Sequence, residues 1–201
     1  MGRPKIHDDA LRGRLIGQAA ALVFEGGVDA LNLRRLAADA GTSTSAVYSL
    51  FGNKAGLLES LYLEAARRFG ARLSEVAATD DPVDDVVRLG IAYRDYALRE
   101  PHLYAIMFDR RGPEFDDRAR AEATATIAPL VDAVRRGQDE GVLRKVGPEL
   151  VALSCWGVAH GLVSLELAGS MPPGLDVASG YEVALRAMVD GWRQSIVHSP
   201  H

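Results

Sequence analysis

Apolar residues recur at intervals of three and four along nearly the whole chain, and the two-residue alternation of half-buried strands is almost absent. This spacing places apolar side chains along one face of a helix, and another helix must cover that face. With 48% hydrophobic and 25% charged residues among 201, the composition is that of a globular chain long enough to bury a core. The sequence therefore predicts an all-α fold.

The periodic segments and their turn residues predict nine helices. Their bounds are about 8–25, 33–40, 43–50, 54–71, 83–99, 101–108, 115–140, 148–168 and 177–197. Pro129 lies inside the seventh of these helices and is expected to kink or split it. Residues 77–82, where two aspartates precede a proline, predict a turn and form the best candidate for a domain boundary.

Charge is distributed unevenly along the chain. The first 73 residues contain 10 Lys and Arg against 7 Asp and Glu, whereas the remaining residues contain 13 against 20. A basic first third can contact a polyanion, which would repel the acidic remainder. The candidate phosphate contacts are Arg3, Lys5, Arg12, Arg14, Arg34, Arg35 and Lys54. The alternative is that these side chains form an ordinary solvated surface.

Two features bear on the cellular compartment. The only cysteine, Cys155, cannot form an internal disulfide, and residues 1–8 lack the apolar stretch of a secretory signal, so we expect a cytoplasmic protein. The longest apolar stretch, residues 150–168, approaches membrane-spanning length but contains four polar residues. We expect it to be a buried helix of a soluble protein, with no membrane partner.

Two short predicted helices, joined by residues 41–43 and packed on a longer first helix, form a helix-turn-helix pattern. The tight turn between crossing helices needs a residue that tolerates positive φ, and Gly41 supplies it. The second short helix and the turn before it carry hydroxyl side chains on the predicted outer face. They are Thr42, Ser43, Thr44, Ser45, Tyr48 and Ser49. Hydroxyl groups bind phosphates and base edges, so this pattern favours DNA as the partner.

The run from Leu33 to Leu58 closely resembles the DNA-binding domain of the TetR family of bacterial repressors. The family pattern has an apolar residue and Ala, an Ala-Gly pair, a Tyr, a Phe three residues later, a Lys three after that, and a Leu pair. The corresponding residues are Leu36-Ala37, Ala40-Gly41-Thr42-Ser43, Tyr48, Phe51, Lys54 and Leu57-Leu58. The resemblance covers about residues 8–65.

This resemblance implies a helix-turn-helix DNA-binding domain over residues 1–70 and a helical ligand-binding and dimerisation domain over residues 71–201. It implies that Arg34 reaches double-stranded DNA from the second helix and that Lys54 contacts a phosphate at the start of the fourth. The latter role is physically sensible, because the N–H groups at a helix N-terminus also favour an anion.

By the same resemblance, the recognition helix would contact DNA through its hydroxyl side chains. They are Thr42, Thr44, Ser45, Tyr48 and Ser49. The alternative for Tyr48 is a core aromatic whose hydroxyl is satisfied locally. Because Thr44 and Ser49 are shorter than the residues that many members carry there, we expect phosphate positioning and shape readout to outweigh bidentate base contacts.

The last two predicted helices suggest an interface between two copies of the chain. Residues 101–108 and 155–166 look similar to segments of a TetR subgroup with a Trp-His-Gly-type regulatory domain. Gly157 and Gly161, four residues apart, permit a close backbone approach by another helix. The last helix has a seam of large residues: Tyr181, Leu185, Met188 and Trp192. The resemblance implies that these helices pair with their symmetry mates in a homodimer with two reading heads.

A ligand cavity is predicted from aromatic and polar residues of the second domain. They are Tyr93, Tyr96, Tyr104, Met107, Phe108, Trp156 and His160. Aromatic walls with few polar groups suit a small apolar effector. The alternative is an ordinary core in which His160 is a hydrogen-bonded histidine.

Catalytic and metal-binding patterns are absent from the sequence, because its histidines are scattered and Cys155 has no histidine at a ligand spacing. We therefore expect no enzyme, no metal and no cofactor. The sequence predicts a one-component transcriptional regulator, a repressor by family tendency, that binds a pseudo-palindromic operator as a dimer and is released by an effector. A ligand-independent DNA-binding protein, a helical protein-interaction module and a small enzyme are the alternatives.

Overall fold

The structure is a computed structural model that describes residues 5–108, 121–122 and 124–194, without the side chains of residues 5–8. Its α-helices are α1 (Lys5–Gly26), α2 (Leu33–Asp39), α3 (Thr44–Phe51), α4 (Lys54–Ser74), α5 (Pro82–Arg99), α6 (Pro101–Phe108), α7 (Ala128–Asp139), α8 (Pro148–Leu167) and α9 (Val177–Asp190). Within these described residues there is no β-strand, only an isolated bridge between Leu143 and Arg193. The prediction of an all-α fold is confirmed.

Prolines and capping groups set several helix ends. Pro129 lies in the first turn of α7, where its missing N–H breaks no helical bond, so the predicted split takes the form of a helix start. The part of that predicted helix from 115 to 120 lies outside the described residues. At the start of α9, Asp176 accepts a hydrogen bond from the Ser179 N–H at 3.2 Å. This helix ends at Asp190, short of its predicted end.

The chain forms two compact units. The first contains the residues up to Arg68 together with α6, and the second contains the end of α4 from Phe69, α5, α7, α8 and α9. The predicted division at residue 70 assigned α6 to the second domain. In the structure, however, Leu103 and Ile106 of α6 are buried in the hydrophobic core of the first unit, where α6 packs against α1.

The core of the first unit joins the inward faces of its first four helices. Leu15, Leu36, Val47 and Leu61, one from each of α1 to α4, are completely buried. Burial of such a side chain contributes about 1.5–3 kcal/mol. Helices as short as α2 and α3 are marginal in isolation, so this shared core is what holds them at a fixed angle.

In the second unit, α5 packs against α7, α8 and α9. Asp85 on α5 is 2% exposed and accepts hydrogen bonds from the Thr79 N–H at 2.9 Å and from the Arg136 guanidinium of α7. Burial acts to raise the pKa of Asp85, but the bonds from Thr79 and Arg136 outweigh it and the pKa lies below its ordinary value. The charged Asp85 side chain therefore links α7 to the segment that connects α4 with α5.

Candidate nucleic-acid interface and ligand cavity

The α2–turn–α3 motif is fixed by two side-chain caps and a glycine. Asn32 Oδ1 accepts a hydrogen bond from the Arg34 N–H at 2.9 Å and starts α2. Gly41 has a φ of 65°, the left-handed conformation that its predicted role requires. Ser43 Oγ accepts from the Ala46 N–H at 3.1 Å, so this hydroxyl caps α3 and is not the free phosphate ligand that the sequence suggested.

The remaining hydroxyl side chains predicted to contact DNA are accessible to different degrees. Tyr48 is 51% exposed, so the alternative of a core aromatic is wrong. Ser45 and Ser49 are exposed, and Thr42 and Thr44 are half-buried. Because the opposite face of α3 is buried in the core, the hydroxyl-bearing face is the one that a partner can reach.

Two cations, Arg34 and Lys54, precede and follow α3 in the chain. Arg34 is exposed in the first turn of α2, and Lys54 is the first residue of α4. Within the described ranges, neither lies within ion-pair distance of a carboxylate, whereas Arg35 pairs with Asp39 at 3.6 Å. A cation that is not neutralised by the protein retains its charge for an external phosphate. Arg34 and Lys54 are therefore suited to their predicted roles.

A third cation of this unit is placed by an aromatic ring. The Arg12 guanidinium of α1 lies 5.6 Å from the centroid of the Phe51 ring at the end of α3. This distance allows a cation–π interaction, which links the two helices. Sequence reasoning grouped Arg12 with the other basic residues, because nothing in the linear pattern indicates that it meets Phe51.

The second unit contains an apolar cavity of about 30 Å³ that is partly open to solvent. Its wall includes Phe69, Leu89, Tyr93, Cys155, Trp156 and Leu185, and no charged side chain lines it among the described residues. Burial raises the pKa of the Cys155 thiol to about 11. A volume of this size holds about one water molecule, so a larger ligand has to displace side chains of the wall.

A chain of hydrogen bonds leads from the cavity wall to His160. The Trp156 Nε1–H donates to Tyr93 Oη at 3.3 Å, and Tyr93 Oη lies 2.9 Å from His160 Nδ1. Ser164 Oγ is 3.5 Å from the other ring nitrogen. Burial lowers the pKa of His160, which favours the neutral ring. A neutral ring with its hydrogen on Nε2 accepts a hydrogen bond from the Tyr93 hydroxyl at Nδ1.

Three of the seven predicted ligand residues are thus brought together, namely Tyr93, Trp156 and His160. Tyr96 packs its ring against Phe69, with the centroids 5.3 Å apart, and is not part of the cavity wall. The apolar positions that sequence reasoning missed, such as Phe69, carry no signal beyond the helical periodicity that every core residue shares.

The other three predicted ligand residues lie on α6 and need a correction. Tyr104, Met107 and Phe108 belong to the first unit and do not line the cavity of the second. Met107 packs against the core of the first unit, and the rings of Tyr104 and Phe108 lie 4.9 Å apart. In the described ranges, no group of three or more His, Cys, Asp or Glu side chains is placed to hold a metal ion.

The outer face of α8 is apolar and uncovered in a single chain. Leu150 and Leu153 are each 54% exposed, and a Cβ added at Gly157 or Gly161 would meet nothing within 4 Å. Alone among the described helices, α8 is long and apolar enough to cross a membrane, and 28% of its most apolar stretch is buried. Core helices of soluble proteins pass the same test, so length and composition do not distinguish the two cases.

The predicted interface residues of α9, together with Trp192 just after its end, pack within their own chain. Tyr181 and Leu185 are 3% and 2% exposed within their own chain, so they are not available as contacts of a dimer face. Met188 and Trp192 are half-buried, and both contact the Ser154 hydroxyl, with the Trp192 Nε1–H donating to it at 2.9 Å. The large residues of this seam pack on α5 and α8 because those helices offer the nearest apolar surface.

The exposed apolar face of α9 is formed by smaller residues. Val183 is 66% exposed, and Ala187, one turn further along, is also exposed. Gly180 and Ala184, at the same helical register, are half-buried. A helix face of small residues allows another backbone to approach closely.

Sequence models of one bacterial family match two parts of this chain. The model of "Bacterial regulatory proteins, tetR family" matches residues 15–61, and that of "Tetracyclin repressor-like, C-terminal domain" matches residues 86–188. The HTH-type transcriptional repressor SCO4008 of Streptomyces coelicolor is 28% identical over 196 residues, which cover 90% of this chain and 96% of that repressor.

Solved structures share the fold. A protein of unknown function from Rhodococcus sp. RHA1 is 26% identical, with a TM-score of 0.80, over 92% of this chain and 96% of its own. AibR, solved in complex with isovaleryl coenzyme A and operator DNA, has a TM-score of 0.68 over 89% of this chain and 97% of its own. AibR is 19% identical to this chain, so the likeness concerns the fold.

Proposed function

Because the chain belongs to the TetR family of bacterial transcriptional regulators, we propose that it binds a pseudo-palindromic DNA operator as a homodimer and leaves it when a small molecule binds. The observation that carries DNA binding is the exposed hydroxyl face of α3, with Arg34 and Lys54 before and after it, neither of which pairs with a carboxylate in the described part of the chain. Hydroxyl groups and cations are the usual ligands of DNA phosphates. We place the protein in the cytoplasm, where its DNA would be.

The homodimer follows from the uncovered apolar faces of α8 and α9. Leu150, Leu153 and Val183 are more than half exposed in one chain, and exposed apolar patches mark interaction sites. A second copy of the same two helices would cover them with an identical surface, as two-fold symmetry requires. The resulting dimer would present two recognition helices to successive major grooves, which lie about 34 Å apart.

The effector site is the cavity of the second unit. AibR, which shares the fold, was solved with both a ligand and operator DNA, and this supports an effector-controlled function. Helix α4 contributes residues to both units, so it is the element that would carry a change from the cavity to the DNA-binding helices. For substantial release, the ligand has to prefer the non-binding geometry by a few kcal/mol. We propose repression as the sign of regulation, in line with the repressor SCO4008.

A second candidate function, a ligand-independent DNA-binding protein, is favoured by the small volume of the cavity, about 30 Å³. In that case the second unit would serve only to form the dimer. Titration of candidate compounds into a protein–operator complex separates the two functions. Only an effector-controlled regulator loses affinity for DNA.

The test is selection of bound sequences from a random duplex pool, followed by salt titration on the enriched site. We expect a pseudo-palindrome with half-sites about one helical turn apart and an affinity that falls steeply with salt. A single unrepeated half-site would contradict the dimer. Absence of any enrichment, with weak binding that vanishes at physiological salt, would contradict sequence-specific DNA binding.

A further inference from the structure

We infer that the cavity of the second unit takes an uncharged ligand built from one apolar ring with a hydroxyl group, of which a phenol is the simplest example. The inference rests on the proposed function, since it names the chemical class of the effector. It is carried by the absence of charge in the described wall, by a donor–acceptor pair in that wall and by the partial exposure of one wall residue.

The composition of the wall disfavours ionised ligands. Among the described residues, no carboxylate, ammonium or guanidinium lines the cavity. Arg94, the neighbour of Tyr93 on α5, is held by Glu166 through two hydrogen bonds of 2.7 and 2.6 Å. Its guanidinium is therefore already neutralised. A buried ion without a partner is strongly disfavoured, so a carboxylate or phosphate would bind more weakly than an uncharged molecule of the same size.

Trp156 and Tyr93 form a donor–acceptor pair in the wall. The distance from Trp156 Nε1 to Tyr93 Oη is 3.3 Å, beyond the usual range of about 2.7–3.2 Å for an N–H···O bond. When the Tyr93 hydroxyl donates a hydrogen bond to His160, its oxygen can still accept one. A ligand hydroxyl can accept from the indole and donate to Tyr93, replacing one long bond with two. A plain hydrocarbon can form neither bond.

Trp156 is also suited to open the cavity. A space of about 30 Å³ is smaller than an aromatic ring, so a side chain of the wall has to move when the ligand enters. Leu89 and Leu185 are 5% and 2% exposed and are held within the core, whereas Trp156 is only half-buried. Outward movement of the indole enlarges the cavity. It also moves the indole away from Tyr93, which creates the space for a ligand hydroxyl between the two side chains.

The test uses the full chain and three probes of similar size: p-cresol, toluene, which lacks the hydroxyl, and benzoate, which is charged. Binding is measured by calorimetry and by tryptophan fluorescence, which responds to the surroundings of Trp156. We expect p-cresol to bind about tenfold more tightly than toluene, since it gains hydrogen bonds. We expect it to bind about a hundredfold more tightly than benzoate, since benzoate buries a charge.

Two variants isolate the hydroxyl contact. Tyr93→Phe removes the acceptor and should bring the affinities for p-cresol and toluene close together, while toluene binding reports that the cavity is intact. Tyr62→Phe, the matched control, removes a tyrosine hydroxyl from the first unit and should leave the preference for p-cresol unchanged. The probe series on the unaltered chain decides the matter if Tyr93→Phe fails to fold.

Each contrary result has a distinct meaning. Benzoate or isovaleryl coenzyme A binding as tightly as p-cresol would overturn the uncharged class, and toluene doing so would overturn the hydroxyl requirement. Lack of binding by all probes would overturn the inference entirely. In each case, salt-dependent binding to the selected operator would leave the proposed DNA-binding function standing, whereas loss of that binding would remove the proposed function itself.

Discussion

A single backbone angle sets the path of the chain into the recognition helix. Gly41 has a φ of 65°, a conformation that costs an L residue about 1–2 kcal/mol. Gly13 lies exposed inside α1, where a Cβ would meet nothing within 4 Å and where glycine only weakens the helix. The same residue type is thus required at one position and dispensable at the other.

Gly41→Ala should lower the free energy of unfolding by about 1 kcal/mol and weaken operator binding, because the turn that orients α3 is strained. Gly13→Ala, the matched control, should raise the free energy of unfolding by up to about 1 kcal/mol. Urea unfolding followed by circular dichroism measures both changes. Equal destabilisation by the two substitutions would contradict a specific need for the left-handed conformation at residue 41.

Lys54→Ala should weaken operator binding by a similar factor for all sequences and reduce the slope of log affinity against log salt by about 1, as the loss of one phosphate contact requires. Lys145→Ala removes an exposed cation of the second unit and serves as the control. Fluorescence anisotropy at several salt concentrations measures the slopes. If both variants keep the slope of the unaltered chain, Lys54 does not contact a phosphate.

Residue-level predictions succeeded where the chemistry is local. The turn at Gly41 depends on neighbours within a few residues, so the sequence contains the necessary information. The hydroxyl of Ser43 is taken up by its own helix N-terminus, a use that competes with any external ligand. The contact between Arg12 and Phe51 joins residues far apart in the chain and has no local signature.

At the scale of helices, a network of ion pairs connects α4 to the start of α6. Glu64 pairs with Arg67 at 2.8 Å and Arg68 at 2.7 Å, and Arg68 also reaches Glu100, just before α6, at 3.3 Å. Hydrogen bonds from Arg67 and then Arg68 outweigh burial and lower the pKa of Glu64 to about 2. The network joins α4 to the beginning of α6 within the first unit.

The low pKa of Glu64 predicts a pH dependence. Because the folded-state pKa lies below the ordinary value of 4.5, the stabilisation is present above pH 4.5 and is lost as the pH falls toward 2. Glu64→Gln should cost about 1 kcal/mol or less at neutral pH and flatten the decline in stability between pH 5 and 3. Unfolding free energies at these pH values provide the measurement.

The control for this experiment is Glu59→Gln, which removes a half-buried carboxylate from the same helix. Within the part of the chain that the structure describes, Glu59 forms no ion pair. We expect its decline in stability to follow that of the unaltered chain. A flattened decline in the Glu59→Gln variant, or an unchanged one in Glu64→Gln, would contradict the assignment to Glu64.

Helix patterns show which residues share a face but not which neighbour that face meets. The spacing of Tyr181 and Leu185 correctly placed them on one apolar stripe of α9. Their size favours the core of their own chain, and the smaller Val183 and Ala187 are left outside. A single sequence cannot distinguish the two arrangements, because both satisfy the same periodicity.

At the scale of the whole molecule, α8 and α9 leave more apolar surface than one chain covers. Leu153 and Val183 are 54% and 66% exposed on their outer faces. A symmetric pairing of these helices would remove both faces from water. The proposed dimer would thus follow from incomplete burial in the single chain, and it would also give the regulator two DNA-binding domains.

Val183→Glu should weaken the dimer at least about tenfold, because a carboxylate would be buried without a partner in the interface. Operator affinity should fall with it, since two heads would no longer be linked. The control is Val146→Glu, which places the same charge at a 40% exposed position outside α8 and α9. Light scattering over a range of protein concentrations gives the mass in solution. A dimer unaffected by Val183→Glu would contradict the proposed face.

The global architecture was predictable to the extent that local patterns repeat in a known family. Periodicity predicted the all-α class and the run around Gly41 indicated the family; the structure confirmed the first and the family models the second. The place of α6 was not predictable, because its eight residues are apolar on most sides and suit either unit. The cavity was predicted only in part. The sequence does not show whether an aromatic residue such as Trp156 or Tyr104 lines a cavity or packs elsewhere, because that depends on its neighbours in the fold.

Cys155 allows the opening of the cavity to be measured chemically. It is the only cysteine of the chain, it lies in the cavity wall, and burial raises its pKa to about 11. Alkylating reagents attack the thiolate, so the closed protein should react extremely slowly. Any reaction that does occur requires a transient opening of the cavity wall that exposes the thiol. The rate of alkylation therefore measures how often the second unit opens, without an engineered probe, and a ligand that fills the cavity should lower that rate.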